Sequence, residues 1–393
     1  SLIGMDGLAI ARPETLAAAS DDPARLECFI PTPRVQNHAA FLAHLPGGDL
    51  GCVWFAGTQE GIPDISVMFS RLAPGATRWT EPVQLSDDPT RSEQNPLLFN
   101  HPDGALWLLW TAQTAGNQDT AIVRRRISRD GGRSWGAIQT VLGPQPGFGT
   151  FIRQPITVLD NGDLILPIWR CTSPPEGAWT GDRDTSSVML STDAGATWAE
   201  HPVPDSTGLV HMAILDLRDG TLLALFRSRW ADFIHESRSQ DGGRTWSAPT
   251  LTGLPNNNSS IAAIRLANGH LALLFNDSSA ADATGRRLSL YDDIGGEAPA
   301  PSVGRAAFWG APRAPMTLAI STDNGRTWPY RRNLETGDGY CLTNNSVDRR
   351  NREFSYPTLV QSADGAIHIA YTYWRQAIKY VRVEEAWVTG EST

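Results

Sequence analysis

An eight-residue phrase, Ser-x-Asp-x-Gly-x-(Thr/Ser)-Trp, occurs four times in this chain, at 128–135, 191–198, 239–246 and 321–328, and a worn fifth copy is read at 70–79. Each copy describes a tight turn. The aspartate can accept hydrogen bonds from backbone N–H groups, the glycine supplies a φ that other residues avoid, and the tryptophan packs underneath. Four near-identical turns are a structural clamp repeated along the chain, and they require an architecture of repeated units.

A second repeat lies between the clamps. Apolar runs flank the dipeptides Gly47-Gly48, Asp103-Gly104, Asn161-Gly162, Asp219-Gly220, Asn268-Gly269 and Asp364-Gly365. Such dipeptides between β-rich runs are hairpin turns. Successive hairpin glycines are 56, 58, 58, 49 and 96 residues apart, a period that suits four-stranded blades arranged radially. The chain is therefore expected to be all-β, a six-bladed β-propeller forming a single domain over residues 1–393. Residues 1–27 are read as an N-terminal extension, with helical periodicity only near 11–19. The long last interval is assigned to an insertion in blade five at 277–312, rich in Ala, Gly, Asp, Ser and Pro. Three readings of it stay open: a mobile lid, a contact that builds a homo-oligomer, or a solvent loop without a role.

Composition narrows the partners. The net charge is −9 and the basic residues are scattered, so nucleic acid is not expected. No apolar run approaches the roughly 20 residues of a membrane span, and residues 1–27 lack a charged-then-apolar leader, which leans the expectation towards a cytoplasmic protein. Cys28, Cys52, Cys171 and Cys341 are far apart and form no Cys-x-x-Cys pair; buried thiols are expected, with neither zinc nor a disulfide framework. No metal or other cofactor is indicated. The 14 tryptophans are assigned to the turns and to blade packing, with some left to stack on sugars.

Because antiparallel strands reverse at every turn, the glycine hairpins and the aspartate turns share one face of the ring. The opposite face receives the starts of the innermost strands. Nine residues before successive hairpin glycines stand Asn95, Arg153, His211, Ser260 and Tyr356, while blade one offers Arg34, Asn37 and His38 in an uncertain register. Polar groups in place of core residues, ringed around one mouth, form a binding-site pattern. Strand ends and starts on the same face add Glu60, Asp64, Arg227, Arg229 and Arg313, and Gln154 adjoins Arg153. Several guanidinium groups converging from separate blades suit a carboxylate ligand; for any one of them, pairing with Glu60, Asp64 or Glu353 is an equally weighted structural reading.

These residues resemble the sialidase (neuraminidase) superfamily of Asp-box propellers over nearly the whole chain. The resemblance implies an arginine triad, matched here by Arg34 in TPRVQNHAAFL, Arg227 in DGTLLALFRSR with Arg229 nearby, and Arg313 in PRAPMTLAISTDNGRTW. It also implies a tyrosine nucleophile at Tyr356 in SYPTLVQSADG, an exception to the two-carboxylate scheme of glycoside hydrolysis. Two departures stand out. The family's glutamate partner of the tyrosine falls near His211, and its acid/base aspartate falls near Glu60 and Asp64 within a different surrounding pattern. The resemblance implies removal of a terminal acidic sugar from an acidic oligosaccharide or glycoconjugate. Two alternatives stay open: a uronate-directed lyase or hydrolase, including rhamnose-glucuronate cleavage, with His38 or His211 as base; and an acidic-glycan-binding propeller without catalysis.

Overall fold

In the computed structural model, which describes residues 7–287 and 305–390, six antiparallel sheets form a ring around a central axis. Blade one consists of Gln36–His44, Leu50–Gly57, Ser66–Leu72 and Val83–Gln84, and blade two of Ser92–Asn100, Leu106–Thr114, Asn117–Ser128 and Gln139–Leu142. In blade three the innermost strand is broken into Phe148–Phe151 and Thr157–Val158; both pair with Leu164–Thr172, which is followed by Thr185–Ser191 and Ala199–Pro202. Blade four is Leu209–Asp216, Leu222–Ser228, Phe233–Ser239 and Thr250–Pro255, and blade five is Ala262–Arg265, Leu271–Asn276, Met316–Ser321 and Tyr330–Glu335.

Blade six corrects the expectation for the N-terminus. Its inner strands Phe354–Gln361, Ile367–Tyr373 and Ala377–Val383 are completed by Asp22–Phe29, paired in the register Leu26↔Arg382 to Phe29↔Lys379, with Ala17–Ala19 outside it. Ala17–Ala19 and Asp22–Phe29 are thus extended and belong to a blade. An outer strand from one end of the chain, hydrogen-bonded to a strand from the other, ties first and last segments together and covers an edge that would otherwise be open.

The repeated clamp works through its aspartate. In the second copy Asp193 Oδ1 accepts from Thr197 N at 2.9 Å and from Ser191 Oγ at 2.7 Å, Oδ2 accepts from Thr197 Oγ1 at 2.5 Å, and Ser191 Oγ accepts from Gly195 N at 2.8 Å. Gly195 sits at φ +89°, where a Cβ would cost stability. The worn copy keeps its buried Trp79 but no aspartate. There Ser70 Oγ donates to the Thr80 carbonyl, as Ser237 Oγ does to Ser247, so Ser70 matches the residue two before a clamp serine. The core fills the spaces between blades with alternating side chains such as Trp54, Trp110, Phe226 and Phe275. All four cysteines are buried free thiols.

Candidate active site

Four innermost strands carry the same local distortion. Ala39, Asn95, His211 and Tyr356 have φ of +62°, +50°, +50° and +50°, and the pairing register slips at each: between His38 and Phe41, Gln94 and Leu97, Val210 and Ala213, and Ser355 and Thr358. Each is a β-bulge, which re-aims a side chain at a strand end. The left-handed φ is a strained choice for residues other than glycine, of the kind that clusters at functional sites. The position nine residues before the hairpin glycine is this bulge, and in blade one it is Ala39, which settles the register left open by Gly47 and Gly48.

The bulges bring His38, His211 and Tyr356 together. The phenol ring of Tyr356 lies 4.1 Å from the His38 ring and 5.5 Å from that of His211, with the guanidinium groups of Arg153, Arg227 and Arg313 at 5.2, 5.7 and 5.7 Å from its centroid. Arg227 Nη1 donates to the Tyr356 hydroxyl at 2.8 Å and to His211 Nε2 at 3.1 Å, and its Nε donates to Asn258 Oδ1 at 2.9 Å. Glu60, Asn95, His211, Arg227, Arg229 and Tyr356 line one small pocket, floored by Phe151 and Trp169. His38 Nδ1 bonds Thr372 Oγ1 at 2.8 Å, while its Nε2 stands 4.0 Å from Glu60 Oε1 without a hydrogen bond.

Five buried guanidinium groups meet three buried carboxylates here. Arg229 is held by Asp184 through Nε at 3.0 Å and Nη2 at 2.8 Å, and lies between the rings of Trp179 and Trp309. Glu353 joins Arg313, at 3.0 Å, to Arg375, whose Nη1 is also 3.7 Å from Glu60. Arg153 and Arg227 have no carboxylate partner among the described residues. Burial therefore pushes Arg153 down to about 10 and Arg227 to about 9, since an uncompensated buried charge favours its neutral form. Burial, reinforced by these cations, also holds His38 and His211 well below the usual imidazole range, so both are neutral. Glu353 is pulled down to about 2 by Arg375 and Arg313 against the opposing effect of burial.

Four residues expected at the site do other work. Arg34 turns outward and donates to Gln84 Oε1 in the outermost strand of blade one at 2.9 Å. Asn37 is a packing residue, accepting from Trp54 Nε1 at 2.9 Å and donating to the carbonyls of Arg34 and Gln376. Asp64 is exposed and caps its own loop through Thr58 N and Oγ1. Gln154 donates to the carbonyls of His211 and Ile261. Together with Arg153, which donates to the carbonyls of Ala40 and Pro357, it also borders an apolar axial cavity lined by Phe41, Leu98, Ile156 and Leu359.

Sequence reasoning missed Arg375, Asp184 and Asn258. Arg375 lies in the turn beyond the second strand of blade six at φ +55°, whereas Arg227 sits inside the corresponding strand of blade four, so the strand count from the hairpin glycine does not reach it. The inserted stretch in blade five contributes too, although its residues 288–304 lie outside the described residues. Its returning flank crosses to blades three and four: Phe308 N donates to the Arg229 carbonyl at 2.7 Å, and Trp309 Nε1 to the Thr180 carbonyl at 2.8 Å.

Residues 48–369 match the BNR repeat-like domain. Among solved structures, the Hadza microbial sialidase Hz136 is similar at a TM-score of 0.66 and 16% identity, over 90% of this chain and 67% of that one. A protein of unknown function from Dyadobacter fermentans aligns at 0.67 and 17%, over 92% and 99%. The NanB sialidase from Streptococcus pneumoniae aligns at 0.65 and 13%, over 97% and 72%. No curated protein matches the chain. At such identities the structural likenesses speak for the fold alone. The matched domain spans most of the chain and the clamps close the blades as its repeats require, so this protein belongs to the BNR repeat-like domain family, with a sialidase-like six-bladed propeller.

Proposed function

We propose that this protein is an exo-acting glycosidase that removes a terminal acidic sugar, sialic acid or a related nonulosonate, from a glycan. One observation carries the reading. Arg227 is 1% exposed, lines the pocket, donates to the Tyr356 hydroxyl through Nη1, and among the described residues has neither a carboxylate partner nor a hydrogen-bond acceptor for Nη2. A substrate carboxylate on Nη2 would supply the missing negative charge and would bring the anomeric carbon beside the phenol oxygen.

In the resulting mechanism Arg227 and Arg313 hold the carboxylate, with Arg375 completing the cationic wall in place of Arg34. Tyr356 releases its proton to solvent and attacks the anomeric carbon, Arg227 Nη1 stabilising negative charge on the phenol oxygen. The glycosidic C–O bond breaks as the Glu60 carboxyl group gives its proton to the leaving oxygen. Water, giving a proton back to the Glu60 carboxylate, then attacks the same carbon and breaks its bond to the Tyr356 oxygen, which regains a proton from solvent as the sugar leaves. Tyr356→Phe tests this: turnover of an acidic aryl glycoside should fall by at least about 10³-fold with ligand binding retained. Turnover at the original rate would remove the nucleophile.

A second reading, a uronate-directed lyase, is favoured by the unpartnered Nε2 of neutral His38, which could abstract a proton next to a carboxylate. Its product carries a conjugated double bond that absorbs in the ultraviolet. Mass and absorbance measured together on a panel of acidic disaccharides separate the two, and binding without any product would make the propeller a lectin.

A further inference from the structure

Five consecutive polar residues, Asn256, Asn257, Asn258, Ser259 and Ser260, are each at most 2% exposed. This loop enters blade five beside the pocket, and two of its side chains, Asn258 and Ser260, spend their hydrogen bonds on the site. Asn258 Oδ1 accepts from both Arg227 Nε at 2.9 Å and Arg229 Nη1 at 3.3 Å, and its Nδ2 donates to the Phe308 carbonyl at 3.0 Å. Asn256 Oδ1 fixes the loop by accepting from Ser228 N and Asn258 N. Asn257 Nδ2 donates to Asn276 Oδ1 and the Pro312 carbonyl. Ser260 Oγ accepts from Arg153 Nε at 3.2 Å and meets His211 Nδ1 at 2.9 Å.

The direction of each bond is forced. A guanidinium can only donate, so His211 Nε2, which meets Arg227 Nη1 at 3.1 Å, must offer its lone pair. In a neutral imidazole the proton then sits on Nδ1, where it is donated to Ser260 Oγ. The ring is further pinned against Trp169, centroid to centroid 4.3 Å. Nothing in this arrangement lets His211 take a proton from Tyr356, because its only basic lone pair is already occupied by Arg227.

We propose that loop 256–260 and His211 form a positioning frame for Arg227, in which His211 is a fixed acceptor and not a proton carrier, and Ser260 selects its tautomer. This rests on the reading that Arg227 and Tyr356 form the reaction centre. The groups facing the imidazole are Arg227 and Arg229 of blade four, Arg153 of blade three, Arg313 of blade five, Tyr356 of blade six, and Glu60 across the pocket from blade one.

The test has an arm that needs no turnover. Ring ¹⁵N signals of the full-length protein, with His211→Gln used for assignment, should show His211 as the neutral Nδ1–H tautomer, unchanged between pH 8 and about 5.5. An Nε2–H tautomer, or protonation with a midpoint inside that window, overturns the frame. In kinetics on an acidic aryl glycoside, His211→Gln keeps an acceptor for Arg227 and should hold kcat/KM within about tenfold with the pH profile unaltered, whereas His211→Phe and Asn258→Ala should each lose about 10²-fold, with thermal melts confirming the fold. Equal losses in His211→Gln and His211→Phe, or a limb missing from the His211→Gln profile, would show His211 to be a base. If no acidic sugar is turned over, the glycosidase reading falls while the ring signals still decide the frame.

Discussion

Replacing Arg227 and Arg229 separately by methionine should divide activity from stability. The two side chains are two residues apart and share Asn258 Oδ1, yet only Arg229 has a carboxylate partner. Arg229→Met would strand Asp184, which is 0% exposed, and removing one member of a buried pair costs about 3–5 kcal/mol. With an unfolding entropy of about 2.1 cal/mol/K per residue, the 393 residues give about 0.8 kcal/mol/K, so a loss of about 4 kcal/mol lowers Tm by about 5 °C. Arg227→Met removes an ion whose burial costs several kcal/mol together with three hydrogen bonds, each contributing about 1.5–3 kcal/mol. These oppose one another, and Asn258 keeps its bond from Arg229, so the net change should lie within about 2 kcal/mol, or about 2.5 °C. Activity should follow the opposite order. Arg227→Met loses both the phenol contact and the substrate carboxylate contact, about 2–3 kcal/mol each, which is about 10³–10⁴-fold in kcat/KM. Differential scanning calorimetry and initial rates on an acidic aryl glycoside measure both. If Arg227→Met melts as far below wild type as Arg229→Met, or keeps activity within tenfold, the reasoning that Arg227 is held uncompensated for a ligand is refuted.

Other outcomes follow from the same geometry. Glu60→Gln should slow release of an alkyl alcohol by about 10²–10⁴-fold while a nitrophenyl leaving group, which needs no proton, is affected less than tenfold; equal losses would exclude Glu60 as the acid. The buried neutral imidazoles of His38 and His211, held low by burial and then by the surrounding arginines, bind fewer protons folded than unfolded. Their contribution is therefore complete above the unfolded value near 6.5 and is lost as pH falls below it, at about 1.4 kcal/mol per pH unit for each; urea titrations of His211→Gln from pH 7 to 5 should show a shallower decline than wild type. Glu353, lowered to about 2, adds a second loss as pH drops from its unfolded value of about 4.5 towards 2. Glu353→Gln should flatten that limb at the cost of lower stability at neutral pH, and an unchanged limb would mean that Glu353 is not ionised in the fold.

The clamps and hairpin dipeptides made six four-stranded blades legible before any coordinates, because turn chemistry is local: an aspartate, a glycine and a tryptophan at fixed offsets act on their own backbone. Counting from each hairpin glycine also located His211 and Tyr356, since a strand of fixed length transmits register from one end to the other. Blade six escaped that logic. Its outer strand Asp22–Phe29 pairs with residues 350 to 356 positions away, and no local pattern marks such a pairing.

The charged centre divides in the same way. Residue type and strand ends pointed to a cationic mouth, and Arg227 and Arg313 are there. Whether an arginine faces the axis or the rim depends on the side-chain environment of neighbouring blades, which sent Arg34 out to Gln84 and brought Arg375 in to Glu353. The sequence alone thus determined the repeat, the face and the chemical character of the mouth. Only the tertiary structure decided which guanidinium groups are neutralised by Asp184 and Glu353 and which two, Arg153 and Arg227, have no carboxylate partner among the described residues, because charge compensation is a property of groups brought close by different blades.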